Sequence, residues 1–162
     1  MANRQDTQKP LDRLDLRILK VLQQDGRISY VDLADRVGLS TSPCLERVKR
    51  LERDGYIQNY TALLDPTRLN ASLLVFVEIS LNYTSETVFE DFREAVSSWP
   101  EILECHLVSG DFDYLLKLRI ADMASYRQLL GEILHTLPGV RESRTLVAME
   151  TVRESTEITI KV

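Results

Sequence analysis

Residues 30–49, YVDLADRVGLSTSPCLERVK, carry two helical patterns separated by a single glycine, and their reading decides the fold of the head of this chain. Leu33, Ala34 and Val37 share one face of a short helix that stops at Gly38, a residue suited to the left-handed end of a helix. Pro43 has no amide hydrogen to donate, so it belongs in the first turn of a second helix. Cys44, Leu45, Val48 and Leu51 then face inward. The small Ala34 lets the two helices cross closely and Gly38 turns the chain, which predicts a helix-turn-helix spanning Tyr30 to Lys49. Glu46, Arg47, Lys49, Arg50 and Arg53 are expected to point outward. Ser40, Thr41 and Ser42 lie at the second helix's N-terminus, where backbone N–H groups favour a phosphate.

Upstream, Leu11, Leu14, Ile18 and Leu22 form the apolar stripe of a first helix ended by Asp25-Gly26, and Ser29 caps the next, with Asp32 three residues on. Downstream, the second motif helix ends at Asp54-Gly55, residues 56–61 look extended, and Leu64-Asp65-Pro66 marks a linker. The expected divisions are a loose tail at 1–10, a winged helix-turn-helix at 11–62, a linker at 63–71 and an α/β domain at 72–162.

That second domain repeats a strand–helix–strand pattern. Leu73, Val75, Val77, Ile79 and Leu81 alternate along a strand. A helix follows through Val88, Phe92 and Val96, then a strand through Leu103, Cys105 and Leu107. The second repeat runs through Tyr114, Leu116, Leu118 and Ile120; then Tyr126, Leu129, Ile133 and Leu137; then Thr145, Val147 and Met149. This βαββαβ order predicts an α+β fold, a ferredoxin-like sandwich with both helices on one sheet face. Residues 155–161 read as a further edge strand. Leu74 and Phe76 make the other face of the first strand apolar too, which points to a sheet face buried between two copies of the chain.

The chain has 162 residues and a net charge of −5. Residues 1–60 hold 11 Lys+Arg against 9 Asp+Glu, a net of +2, and residues 61–162 hold 9 against 16, a net of −7. A polyanion would therefore be met by the head. No apolar run approaches the ~18 residues of a membrane helix, the first ten residues lack a secretory signal, and two cysteines suit a reducing cytosol. A cytoplasmic, nucleoid-associated protein without membrane contact is expected.

Catalytic readings find little support. Asp111 and Asp113 beside Gly110 are typical of a turn between two strands. Cys105 and His106, as neighbours on a strand, point to opposite faces and cannot hold one metal ion together. His135 stands alone on a helix. No phosphate loop, zinc spacing or Ser-His-Asp candidate is present, so neither an enzyme nor a metal or cofactor site is expected.

Several ordered runs resemble the Lrp/AsnC family of bacterial transcription regulators. They include Leu11-Asp12-Arg13-Leu14-Asp15, Gly26-Arg27-Ile28-Ser29, Arg36 to Ser40, Pro43 to Val48, Arg50 to Arg53, Ala71 to Ile79, Glu104 to Lys117 and Leu137 to Val140. The resemblance spans roughly residues 11–154. It implies binding of double-stranded DNA, homodimers assembling into an octamer or similar ring, and a small amino-acid effector, leucine or another aliphatic one, held between dimers. It implies an effector site at Gly110, Asp111, Phe112, Asp113 and Tyr114, completed by Thr136, Leu137, Pro138 and Gly139 and by Val147 and Ala148. Asp113 would hold the effector's ammonium group or organise the loop. Ala148 stands where a larger aliphatic residue is typical. An architectural DNA-binding protein with a vestigial effector site therefore stays open, as does the stand-alone regulatory domain of an enzyme.

Overall fold

The computed structural model describes residues 10–83 and 87–162. The expected tail lies outside the described residues except for Pro10. The chain divides into two units, a head of Met1–Leu63 with Glu154–Val162 and a body of Leu64–Arg153.

The head is built on α1 (Arg13–Leu22), α2 (Tyr30–Val37) and α3 (Thr41–Arg53). Asp12 caps α1 through a reciprocal box. Its carboxylate accepts from the N–H groups of Leu14 and Asp15, while the Asp15 carboxylate accepts from the Asp12 N–H. Ser29 caps α2, and Gly38 ends it at φ 77°, a conformation that disfavours any side chain. Ile18, Leu33, Ala34, Val37, Cys44, Val48 and Leu51 form the buried core of this unit.

Residues 56–61 form no strand among the described residues. One expectation changes, at the end of the chain. Residues 155–161, read as an edge strand, group with the head and form no strand. The physical reason is visible at Ile158. Its N–H donates to Gln23 Oε1 at 3.2 Å and its carbonyl accepts from Gln23 Nε2 at 3.0 Å, so one side-chain amide occupies both backbone groups that a ladder would use.

The body runs β1 (Leu73–Leu81), α4 (Val88–Ser97), β2 (Ile102–Leu107), β3 (Tyr114–Ile120), α5 (Met123–Thr136) and β4 (Val140–Val147). Its strands lie in the order β2-β3-β1-β4 with every neighbouring pair antiparallel. This is the ferredoxin-like arrangement that the βαββαβ order predicts. Val75, Val77, Ile79 and Leu81 meet Val88, Phe92, Val96, Tyr126 and Ile133 in one core, so both helices cover the same sheet face. Tyr126 fixes α5 to β4 through a hydroxyl contact with Thr145 at 2.5 Å. After α5 the chain turns at Gly139 with φ 72°, and a Cβ there would collide with Val88 at the start of α4, so only glycine fits.

The uncovered face is mixed. Phe76 pairs with Leu146 and Lys117 across its centre, with Glu78 beside Arg144, while Lys117 donates to Glu104 at 2.9 Å. Leu74 and Phe76 thus lie where the alternation placed them, on the side away from the helices.

Candidate functional site

Two groups of residues are candidates for binding, one in each unit. In the head, α3 turns about 100° per residue. Ser42, Glu46, Lys49 and Arg53 therefore fall in one narrow stripe, opposite the buried stripe of Cys44, Val48 and Leu51. All four are exposed, as is Thr41. The N-cap of α3 is Ser40, whose side chain makes no capping hydrogen bond. A first turn without that cap keeps its donors available to an incoming anion.

Arg47 and Arg50 differ from expectation. On the same helical wheel they lie on the flank that meets the N-terminus of α1. Arg47 Nη1 donates to Asp12 Oδ2 and to Asp15 Oδ1, each at 2.7 Å. Arg50 Nη2 lies 2.5 Å from Asp15 Oδ2. The Asp15 side chain is fully buried and those of Arg47 and Arg50 are 24% and 18% exposed. A buried carboxylate needs such partners, because an unpaired charge away from water is strongly unfavourable. The Asp12 carboxyl is held down at about 2 by the Asp15 N–H and then by Arg47. The outward cations of α3 are thus Lys49 and Arg53, the latter also 3.1 Å from Asp54.

Sequence reading missed Asp12 and Asp15 as partners of α3. The signal was present: two acids three apart on one helix and two arginines three apart on another make matching faces.

In the body, two of the expected effector segments meet at the end of β1. The Asp113 carboxylate accepts from the Leu81 N–H at 2.7 Å and from the Tyr83 hydroxyl. The Asp113 N–H donates to Ile79 O and its carbonyl accepts from Val108, both at 2.9 Å, so this residue organises the loop after β2. The Tyr83 hydroxyl titrates above its usual range because it donates to that carboxylate. The turn after α5 arrives at the same place, with Asn82 N–H donating to Gly139 O at 2.7 Å. Tyr83 and Asn82 were not anticipated, since neither belongs to a periodic pattern.

Gly110 and Asp111 are exposed, and Phe112, Pro138 and Gly139 partly so. Tyr114 and Leu137 instead belong to the core, with the Tyr114 ring stacked on Phe92 at 4.4 Å. They follow the inward alternation of β3 and the buried face of α5. Thr136 accepts from the Trp99 indole at 3.0 Å and donates to Ile133 O at 2.9 Å, which ties the ends of α4 and α5 together.

Val147 and Ala148 are not brought to this cluster. Val147 pairs with Val75, and the Ala148 N–H donates to Leu74 O, at the opposite end of β1 from Leu81. Six residues of strand separate the two places, about 20 Å at ~3.3 Å per residue. Among the described residues no group of three or more His, Cys, Asp or Glu could hold a metal ion, and no helix is long and apolar enough to cross a membrane.

Two family models match successive parts of the chain. Residues 11–58 match a winged helix-turn-helix DNA-binding model, and residues 74–158 match the Lrp/AsnC ligand binding domain. The leucine-responsive regulatory proteins of Escherichia coli K12 and Klebsiella pneumoniae are each 63% identical over 153 residues, 94% of this chain and 93% of theirs. Among solved structures, a transcriptional regulator of Neisseria meningitidis in complex with L-methionine superposes with a TM-score of 0.88 at 36% identity, covering 93% of this chain and 97% of that one. An AsnC family regulator of Agrobacterium tumefaciens gives 0.88 at 39% identity, covering 92% and 97%.

Proposed function

Because this chain belongs to the Lrp/AsnC family of DNA-binding transcription regulators, with an amino-acid-binding domain behind its helix-turn-helix, we propose that it controls genes of amino-acid metabolism in response to a small aliphatic amino acid. The reading is of a cytoplasmic, nucleoid-associated homo-oligomer. The single observation that carries it is the outward stripe of α3 with its open first turn. Lys49 and Arg53 suit the phosphate backbone or a guanine edge, Glu46 suits a cytosine amino group, and Thr41 and Ser42 suit a phosphate.

The effector site supports a reading in which more than one copy of the chain contributes. One copy holds the loop of Gly110 to Asp113 and the turn of Thr136 to Gly139, while Val147 and Ala148 lie about 20 Å away along β1. A neighbouring copy in a dimer or ring would supply the missing wall, and the apolar strip of Leu74 and Phe76 suits the dimer contact. A ligand held between copies favours whichever assembly it fits better, and shifts it by no more than its differential affinity. Leucine and methionine are the first effectors to test, since similar proteins are named for the one and solved with the other. The burial of Tyr114 and Leu137 leaves fewer groups for an effector and favours the second reading, an architectural protein without a working site.

Titration calorimetry of the full chain with a panel of amino acids separates the two. A saturable heat for one aliphatic amino acid supports the regulator, and its absence for all supports the architectural protein. DNA retardation tests the reading both share: Lys49→Ala with Arg53→Ala should weaken binding while leaving the oligomer intact.

A further inference from the structure

The carboxylate of Asp15 is the one charged group of the head's first helix that is completely buried, and it faces α3. Both its oxygens are engaged, one by Arg47 and the other by Arg50 and the Asp12 N–H. Elsewhere α3 is held mainly by the apolar stripe of Cys44, Val48 and Leu51, with Glu52 near its end accepting from the Tyr60 hydroxyl at 2.9 Å. Apolar contacts are not directional and tolerate a small roll of one helix on another, whereas charge-assisted hydrogen bonds at 2.7 Å do not.

We propose that Asp15 is a positioning residue for DNA recognition: it fixes the roll of α3 and withholds Arg47 and Arg50 from the phosphate backbone. This rests on the reading of α3 as the helix that meets DNA. Phosphate contacts supply affinity for any sequence, and base-edge contacts supply the preference for one. Two arginines on the flank of α3, long enough to swing toward a duplex, would raise binding to every sequence alike. Held by Asp15, they leave the choice of sequence to the stripe of Ser42, Glu46, Lys49 and Arg53.

The test uses the full chain, a duplex selected by the wild-type protein from a random pool, and a scrambled duplex of the same composition. Binding to both is measured over a range of salt. Asp15→Asn keeps the shape, frees Arg50 and leaves Arg47 held by Asp12 alone. Scrambled-duplex affinity should rise by about tenfold at low salt, and its salt slope should steepen by roughly 1 to 2, at ~0.9 for each added phosphate contact. The ratio of selected to scrambled binding should fall by at least about tenfold, in line with phosphate contacts that carry no sequence information. Adding Arg50→Gln to Asp15→Asn should return part of the slope, which a merely structural role for Asp15 would not do. A folded Asp15→Asn with unchanged slope and ratio overturns the proposal.

Should Asp15→Asn not fold, the wild-type chain carries the test: in side-chain NMR with the scrambled duplex the Arg47 and Arg50 Nε–H signals should stay in place. Their movement on adding that duplex overturns the proposal too. A wild-type chain that selects no duplex from the pool sinks the reading of α3 itself, an outcome distinct from either.

Discussion

The head and the body place their candidate groups in opposite ways. In the head they sit on one helix, so spacing along α3 puts Ser42, Glu46, Lys49 and Arg53 on one face. In the body they come from the loop after β2, the turn after α5 and the end of β4, and strand pairing decides which of them meet. A helix shows its outward face in the sequence. A sheet shows which residues alternate but not which ends of its strands become neighbours.

Changes to the two cores should have the largest effects. Leu33→Ala in the head and Leu116→Ala in the body each open a cavity and should cost roughly 2–5 kcal/mol. Hydrogen exchange should show the loss mainly in α1–α3 for the first and in β1 and β3 for the second. Equal loss across both units from either change would break the comparison.

Gly139→Ala should cost about 2 kcal/mol, from the φ of 72° and the collision with Val88. Thermal unfolding measures it. Because this turn meets the Asp113 loop at the end of β1, effector affinity should fall with it.

Next comes the head's polar anchor. A double-mutant cycle between Asp12 and Arg47 should give about 1 kcal/mol, a small value because Asp12 is partly solvated. Its dependence on pH has a definite sign. The Asp12 carboxyl lies at about 2 in the folded head, below its ordinary 3.8. The stabilisation is therefore complete above pH 3.8 and is lost as the pH falls toward 2. Acid unfolding of Asp12→Asn should lack this component between pH 4 and 2.

The smallest effect is expected at the chain's end. Gln23→Ala removes two exposed hydrogen bonds to Ile158 and should cost under ~1 kcal/mol. Faster amide exchange at Ile158, with α1–α3 unchanged, checks it.

Much of the fold could be read from periodicity. The three head helices, the βαββαβ order and the inward register of β1 and β3 all follow from spacings of 3.6 and 2. What escaped the sequence depended on partners far along the chain. Arg47 and Arg50 looked outward because the pattern of α3 was weighed alone, without the matching spacing of Asp12 and Asp15 more than thirty residues earlier. The family resemblance implies Tyr114 and Leu137 at the effector site, while their alternation assigns them to the core, where the structure has them. The segment at 155–161 alternates like a strand, and only the side chain of Gln23 shows where it goes.

On the proposed reading, α3 meets DNA with one stripe while Asp15 holds back its flank. Arginine side-chain NMR of the full chain, with and without a duplex it selects, tests this directly. The Arg53 Nε–H signal should move on adding the duplex while the Arg47 and Arg50 signals stay in place. Movement of Arg47 and Arg50 with Arg53 unchanged would contradict it.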